Sequence, residues 1–171
     1  VQFSWALNGS PVSGASESTF IPSNGLRGQS LTCSAIASDE AATSEEQVSS
    51  PIVLANTPPV AGVPYIQPAA PTVVDALVCE PSTWFDPDGD PEGYAYEWLV
   101  GGVVLPDYTS ATLPAGVAQS TQSVECRITP VDGFEEGLPV NSASVLIGNT
   151  VPVIGSVTIE PQTPTSSSSL I

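Results

Sequence analysis

The stretch of sequence that decides the fold is residues 79–98, CEPSTWFDPDGDPEGYAYEW, together with residues 124–133, VECRITPVDG. In the first segment, large apolar side chains occupy every second position at Tyr94, Tyr96 and Trp98. The second segment alternates in the same way at Val124, Cys126 and Ile128. Alternation with a period of two is typical of a β-strand with one buried face. The two segments therefore predict two half-buried strands, with an acidic loop before the first.

Composition extends the prediction of strands to the whole chain. Of the 171 residues, 41% are hydrophobic, which suffices for packed cores, and they come in short runs separated by 14 Gly and 18 Pro. Segments with a helical period are essentially missing, so we predict an all-β fold. Within residues 58–150 the predicted strands are 60–66, 73–79, 94–98, 103–105, 110–113, 124–128 and 142–147. The apolar residues expected of the second strand are Val74, Leu77 and Cys79.

The sequence repeats itself with a constant offset of 93 residues, which links Trp98 to Trp5 and Cys126 to Cys33. We call two residues related by this offset counterparts. Further pairs of identical counterparts include Gly102 and Gly9, Asp132 and Asp39, Asn149 and Asn56, Thr150 and Thr57, Ile159 and Ile66, Pro161 and Pro68, Pro164 and Pro71, Thr165 and Thr72, and Leu170 and Leu77. Self-similarity at a fixed period indicates tandem structural units.

The offset divides the chain into three segments. Residues 58–150 are predicted to be one complete unit, bounded by the related linkers NTPP (56–59) and NTVP (149–152). Residues 1–57 are expected to be the C-terminal part of a first unit, because Val1 is the counterpart of Tyr94. Residues 151–171 are expected to supply the opening strands of a third unit.

Two complete units would be 186 residues, so the chain of 171 lacks 15, the counterparts of residues 79–93, and with them a partner for Cys33. Two arrangements restore the missing part. The chain is a window from a longer array, or residues 151–171 act as donor strands for the incomplete first unit of a neighbouring subunit. The window is favoured because a natural chain seldom ends just before a core cysteine. In both arrangements the partner of Cys33 lies outside this sequence or in a neighbouring subunit.

The motifs of the complete unit resemble a known family. Cys79 followed by DPDGD (86–90) and YEW (96–98), and then by CRITPVDG (126–133) and GNTVP (148–152), is similar to bacterial secreted immunoglobulin-like repeats of the polycystic-kidney-disease (PKD) and cadherin-like type. The resemblance implies tandem immunoglobulin-like β-sandwiches of about seven strands per repeat. It also implies extracellular surface proteins, adhesins or cell-envelope fibres without catalytic activity. The chain departs from the usual PKD pattern after Trp98, where Leu-Val-Gly-Gly replaces an Asp-Phe-Gly-Asp-Gly type of loop.

Cysteine usage fits the same type of sandwich. The order Cys79, Trp98, Cys126 is that of the immunoglobulin-like fold in which a disulfide between the two sheets packs on a buried tryptophan. We therefore expect a Cys79–Cys126 disulfide, with Trp98 and its counterpart Trp5 as core residues. Two buried free thiols are the alternative. The repeat organisation, the acidity and the resemblance favour an oxidising compartment and hence the disulfide.

Charge and the missing residue types exclude several functions. The chain has 18 acidic residues against two basic ones, Arg27 and Arg127, and a net charge of −16, which excludes nucleic acid as a partner and disfavours anionic membranes. No histidine, lysine or methionine is present, so the commonest general base and the Schiff-base amine are missing. No pair of acids is marked as a glycosidase site. We expect no catalytic residue and no enzymatic activity. No stretch approaches the roughly 20 apolar residues of a membrane-spanning helix, so no membrane insertion is expected.

The acidic loop is a candidate calcium site. Its carboxylates lie at every second position at Asp86, Asp88, Asp90 and Glu92. Ca²⁺ binds hard oxygen ligands, so these four residues are predicted to hold the ion. The alternative is a solvated turn that uses Asp, Pro and Gly for turn geometry alone. A bound ion would stiffen the loop near one end of the unit and would take part in no turnover.

These features together predict a structural component of an extracellular fibre or surface stalk, in which copies of the same unit are the partners. The alternative is an adhesin or carbohydrate-binding module with ligand-specific loops, whose Tyr94 and Tyr96 would stack on glycans. The two tyrosines share the alternation of Trp98, which favours a place in the core for them. The expected location is extracellular or at the cell surface.

Overall fold

The structure, a computed structural model, describes residues 1–169 and 171, and all regular elements of these residues are strands. This confirms the prediction of an all-β fold. Segment 1–57 contains β1 (Gln2–Leu7), β2 (Ser10–Pro11), β3 (Ser30–Ile36), β4 (Gln47–Val48) and β5 (Ile52–Val53). They form one antiparallel sheet in the order β2-β1-β3-β4, and β5 also pairs with β3. We call it the first sheet. Asn8 and Gly9, at φ 49° and 79°, make the tight turn between β1 and β2, as Asn-Gly does in hairpins.

A second five-stranded antiparallel sheet lies in segment 58–150. It consists of β10 (Tyr94–Val100), β11 (Val103–Leu105), β13 (Ser123–Pro130), β14 (Val140–Asn141) and β15 (Val145–Leu146). The order is β11-β10-β13-β14, with β15 also paired to β13. Strand β13 lies inside this sheet, between β10 and β14. Its residues are alternately half-buried and buried, as expected for a strand with one face toward a core.

The remaining strands of segment 58–150 form two smaller antiparallel sheets. They are β6 (Val60–Ala61), β7 (Tyr65–Gln67), β8 (Leu77–Glu80), β9 (Trp84–Phe85) and β12 (Thr112–Leu113). Strands β12, β8 and β7 make a three-stranded sheet in that order, and β6 pairs with β9.

The five-stranded and three-stranded sheets of segment 58–150 share one core. Trp98, Val124, Cys126 and Ile128 from the larger sheet are 0% exposed, and Leu77 and Leu113 from the smaller sheet are 2% and 1% exposed. A disulfide joins Cys79 on β8 to Cys126 on β13, with their Cα atoms 6.0 Å apart. The bond therefore links the two layers across the core. Every residue of the buried core cluster comes from this segment.

The first sheet has the same register as the second five-stranded sheet. Trp5 lies opposite Cys33 in the ladder of β1 and β3, and Trp98 lies opposite Cys126 in the ladder of β10 and β13. The indole N–H of Trp5 donates to the carbonyl oxygen of residue 17 at 3.0 Å, and that of Trp98 donates to the carbonyl oxygen of residue 110 at 2.9 Å. The N–H of Cys33 donates to Ser49 Oγ, and that of Cys126 to Ser142 Oγ, both at 3.0 Å. All of these pairs are 93 residues apart.

Burial is where the two sheets differ. Trp98 is completely buried, whereas Trp5 is half-buried and has the ring of Phe20 stacked on it, with the centroids 5.3 Å apart. Cys33 is half-buried with a free thiol, while its counterpart Cys126 is buried and bonded. The two indoles thus have equivalent hydrogen bonds but unlike surroundings. The surroundings differ because the three-stranded sheet covers Trp98 and does not cover Trp5.

Several predicted strands are shorter or interrupted. Strand 60–66 is two strands that belong to different sheets, separated by a segment that contains the buried Pro64, which has no N–H to donate to a ladder. Strand 73–79 begins only at Leu77, and Val74 is 65% exposed, so its expected place in the core is wrong. Strand 142–147 is replaced by β14 and β15, between which Ser142 Oγ accepts the Cys126 N–H. Segment 58–150 has ten short strands instead of about seven.

Residues 151–169 form no strand and are mostly exposed. Two backbone hydrogen bonds of 3.2 Å join Glu160 and Ile171, each donating its N–H to the carbonyl oxygen of the other. The Leu170 part of the repeat comparison lies outside the described residues. Among residues 1–169 and 171 there is no helix long and apolar enough to cross a membrane.

Candidate metal centre

Two Asp-Gly turns bring carboxylates to the boundary between the segments. The DPDGD loop joins β9 to β10, and Asp86 Oδ1 accepts the backbone N–H groups of residues 88, 89 and 90 at 2.7, 2.8 and 3.3 Å. Gly89, at φ 78°, allows the chain to reverse there. Just after β13, Asp132 Oδ1 accepts the N–H groups of residues 134 and 135, both at 2.7 Å. Each aspartate thus folds its own loop with one oxygen and keeps the other for a second partner.

The carboxylates of three residues converge. One oxygen from each of Asp86, Asp90 and Asp132 lies within 4.8 Å of the other two. We call these three residues the junction cluster. Asp86 is 9% exposed and Asp132 is 4% exposed, so two of the three carboxylates are withdrawn from solvent. Like charges at this separation repel strongly unless a cation or hydrogen-bond donors compensate them.

Asn56, in the linker between the segments, contributes to the same place. Its Nδ2 donates to Asp132 Oδ2 at 2.8 Å and to Glu135 Oε2 at 3.3 Å. Burial raises the pKa of Asp132, but the hydrogen bonds from Asn56 and from the backbone N–H groups of residues 135 and 134 outweigh it. The pKa of Asp132 therefore lies below its ordinary value, and the group is ionised at neutral pH.

Arg27, from the loop before β3, supplies one positive charge. Its Nε and a terminal nitrogen donate to the two oxygens of Asp90 at 2.9 and 2.7 Å, and its guanidinium lies 3.5 Å from the ring centroid of Phe134. Such bidentate pairing is the strong form of an ion pair. Three carboxylates and one guanidinium leave a net charge of −2 at the cluster (−3 + 1). One divalent cation would neutralise it.

Two buried oxygens at this junction have no hydrogen-bond partner among the described residues. They are Asp86 Oδ2 and Asn56 Oδ1. A buried acceptor without a partner costs roughly 1–3 kcal/mol, so native proteins seldom leave one unsatisfied. Carboxylate and amide oxygens are ligands that Ca²⁺ binds. The residues present therefore fit a cation, with the junction cluster and the Asn56 amide oxygen as the ligands offered by the protein.

The structure places the four predicted ligands differently. Asp86 and Asp90 belong to the junction cluster. Asp88 accepts the Thr57 backbone N–H through Oδ2 at 2.8 Å, and Glu92 accepts the Tyr94 hydroxyl at 2.8 Å. Sequence reasoning missed Asp132 and Asn56 as candidate ligands, because they are distant in the chain from the DPDGD loop. Their recurrence at Asp39 and Asn149 was the available signal.

Tyr94 and Tyr96, the candidate sugar-stacking residues, pack against the buried core. Their ring centroids are 6.3 Å apart, and Trp84 meets Tyr94 edge-on at 5.6 Å. Burial raises the pKa of both hydroxyls, and Tyr94 is also bonded to Glu92. Trp84, Tyr94 and Tyr96 thus form an aromatic group whose members are all half-buried.

No protein-family model matches the chain, and no curated protein is significantly similar to it in sequence.

Proposed function

We propose that this chain is a non-catalytic structural segment of an extracellular fibre or surface stalk built from immunoglobulin-like repeats. The observation that carries the proposal is the recurrence of ladder register and of the tryptophan hydrogen bonds at an offset of 93 residues. Units that repeat along a chain contact mainly their neighbours, which produces an extended array. Such an array separates or connects what is attached at its ends.

The strand order supports the immunoglobulin-like assignment. The disulfide joins the central strand of the three-stranded sheet, β8, to β13 in the opposing sheet. Trp98 lies on β10, next to β13 and opposite Cys126 in the ladder. A disulfide between the sheets with a buried tryptophan beside it is a hallmark of immunoglobulin domains.

The boundary between segments 1–57 and 58–150 is where stiffness would be controlled. Arg27 binds Asp90 and Asn56 binds Asp132 across it, and the Gly25 N–H donates to the carbonyl oxygen of Pro87 at 2.9 Å. The proposed array uses the junction cluster to hold Ca²⁺. The ion supplies positive charge to the buried carboxylates, and the protein contributes ligands from both segments, so binding restricts their relative motion.

Calcium is therefore expected to raise the melting temperature of metal-free protein. At a concentration 100 times the dissociation constant, binding to the folded state adds about 2.7 kcal/mol to the free energy of unfolding. In Asp86→Asn, which keeps an oxygen for the loop hydrogen bonds but removes the charge, most of this increase is expected to disappear. Differential scanning calorimetry with and without Ca²⁺ measures it.

Glu92→Gln is the matched control, because it removes one acid from the same loop outside the junction cluster. It should leave the calcium-induced shift in place. A melting temperature that does not respond to Ca²⁺, or an equal loss of response in both variants, would contradict the metal site. The fibre proposal would survive that result, because it rests on the repeat.

Mechanical extension tests the disulfide as a lock within the unit. The bonded cysteines are 47 residues apart, so the intact bond keeps that length of chain from extending. Reduction should lengthen the fully stretched molecule by about 160 Å, at 3.3–3.6 Å per residue. Single-molecule pulling before and after reductant measures the difference, with Cys33→Ala as the control that should not change it. Equal extension in both conditions would contradict the lock.

The extracellular location is supported by the disulfide, which persists in oxidising compartments. The experiment that tests the proposed function is immunoelectron microscopy of cells that produce the protein, with antibodies raised against residues 58–150. Label along surface filaments or stalks is the expected result. Label confined to the cell interior would contradict the proposal.

The rival function is an adhesin or carbohydrate-binding module. Its aromatic candidates, Tyr94 and Tyr96, are half-buried against the core, which supports the structural role over stacking on sugars. Glycan-array binding by the intact chain, lost in Tyr94→Ala but retained in Phe85→Ala, would favour the rival. Phe85 is a suitable control because it is 56% exposed and follows Trp84 in β9.

A further inference from the structure

One face of the first sheet lacks the layer that covers its equivalent. The ladder of β1 and β3 places Phe3 opposite Ala35 and Trp5 opposite Cys33, with all four side chains on the same face. We call this the open face. The counterparts of its residues are Tyr96, Ile128, Trp98 and Cys126, of which the last three are fully buried in the core and Tyr96 is half-buried against it. The open face is the inner face of a sandwich whose second sheet is missing among the described residues.

Exposure is consistent with a missing layer. Ile52 beside the open face is 59% exposed, whereas its counterpart Val145 is half-buried and packs against the core. Ala35 and Cys33 are half-buried, whereas their counterparts Ile128 and Cys126 are 0% exposed. The face is covered in part, because Phe20 stacks on Trp5 and Leu31, on the same face as Cys33, is 4% exposed.

The tail, residues 151–171, has apolar side chains that no sheet covers among the described residues. Its apolar residues Ile154, Val157 and Ile159 are 80%, 82% and 61% exposed. Their counterparts are Ala61 and Ile66, which are 9% and 5% exposed, and Pro64, which is fully buried. Exposed apolar residues in such a pattern indicate a surface that is covered in the assembled state.

The tail also repeats the backbone pairing of the layer that the open face lacks. The two hydrogen bonds between Glu160 and Ile171 link the counterparts of Gln67 and Val78. Gln67 lies opposite Val78 in the ladder of β7 and β8, which covers Trp98 and Cys126 in the complete unit. The tail therefore carries the start of the same hairpin.

The tail and the open face are at opposite ends of segment 58–150. Strand β15, which precedes the tail, pairs with Ser123 and Val124 at the beginning of β13. Asp132, which follows the end of β13, binds Asn56 at the boundary with the first segment. A single copy therefore presents the open face at one end and the tail at the other, so the two surfaces would meet between successive copies.

We propose that the open face of one copy binds the tail of a second copy, so that the chain associates head to tail. This inference rests on the repeat in the proposed function and names the partner of the open face. The contact is heterologous, because two different surfaces meet, and such contacts extend into filaments when the rotation does not close. Ile159 of the second copy takes the position that Ile66 has in the complete unit.

Sedimentation velocity over a range of concentrations tests the association in the chain as it exists. We expect the weight-average mass to rise with concentration, and Ile159→Asp to weaken the association at least tenfold, because it places a charge against an apolar face. Val153→Asp is the matched control, since Val153 is 88% exposed and its counterpart Val60 is 60% exposed. It should associate nearly as the unmodified chain does. Neither residue belongs to the core cluster, so both variants keep the fold of segment 58–150.

A cysteine probe tests the register of the contact. One cysteine appended directly after Ile171 corresponds to Cys79 and should form a disulfide with Cys33 of another copy. Oxidised glutathione accepts the two electrons and is reduced as the two thiols join. Non-reducing electrophoresis should show a ladder of oligomers that Cys33→Ser abolishes. Ile171→Cys is the control, because its counterpart Val78 lies on the other face of β8, and its ladder should be at least tenfold weaker.

A chain that stays monomeric at every concentration, or a ladder that persists in Cys33→Ser, would overturn the proposal. So would equal cross-linking from both cysteine positions, since the register would then have no influence. If antibodies label surface filaments but the chain stays monomeric, only this inference is overturned. The open face would then be covered by strands of the same polypeptide. Label inside cells would sink the proposed function independently.

Discussion

Replacing Cys79 and Cys126 together by alanine is expected to lower the free energy of unfolding of segment 58–150 by about 4 kcal/mol. The bond closes a loop between residues 47 apart, so its loss restores a large amount of conformational freedom to the unfolded chain. Domains of this size typically have a free energy of unfolding of roughly 5–15 kcal/mol, of which about 4 kcal/mol is a large share. Urea denaturation at 25 °C, followed by tryptophan fluorescence, measures the change.

The matched control for this prediction is Cys33→Ala, which removes a cysteine from the equivalent position of the first sheet. Its thiol is free, so the substitution closes no loop and opens none. We expect it to shift the main unfolding transition by less than about 0.5 kcal/mol. Equal effects of the double variant and the control would show that the bond does not stabilise the unit.

The second large effect is expected for Trp98→Ala, which should destabilise the same segment by about 3–5 kcal/mol. The indole is 0% exposed and lies in the core between the two sheets, so its removal leaves a cavity. It also leaves the carbonyl oxygen of Ser110 without the indole N–H that donates to it at 2.9 Å. Calorimetry of the main transition measures the loss.

Trp5→Ala is the matched control, because Trp5 has the same ladder position and an equivalent hydrogen bond but is only half-buried. The main transition of segment 58–150 should be nearly unchanged in this variant. A loss of stability comparable to that of Trp98→Ala would mean that the first sheet and segment 58–150 unfold as one unit. In that case the first sheet would not be an independent, incomplete copy.

The core of segment 58–150 could be predicted because its signals are local or repeated. Alternation at Val124, Cys126 and Ile128 placed all three on one face, and all are fully buried. The order of Cys79, Trp98 and Cys126 led to the disulfide through the resemblance to a known sandwich. Strand ends were harder, because Pro64 interrupts a run of apolar residues that reads as one strand, and the chain there changes sheets.

The junction cluster could be predicted only in part. Spacing within DPDGD identifies Asp86 and Asp90 as neighbours, but the approach of Asp132 depends on where β13 ends in three dimensions. The same holds for Arg27, which reaches Asp90 across 63 positions of the sequence. Spacing alone also suggested Glu92, which the structure turns toward Tyr94. Alternate carboxylates in a loop can point in different directions, so residues that are close in sequence do not necessarily bind the same metal ion.

Amide hydrogen exchange in dilute, monomeric protein tests most directly whether one unit is complete and its copy is not. The N–H groups of Cys33 and Cys126 make equivalent 3.0 Å hydrogen bonds to serine hydroxyls, so their intrinsic geometry is matched. The Cys126 amide should exchange at least roughly a hundredfold more slowly, because it opens only when the disulfide-linked sandwich unfolds, whereas the sheet around Cys33 opens locally. Equal protection of the two amides would contradict the account.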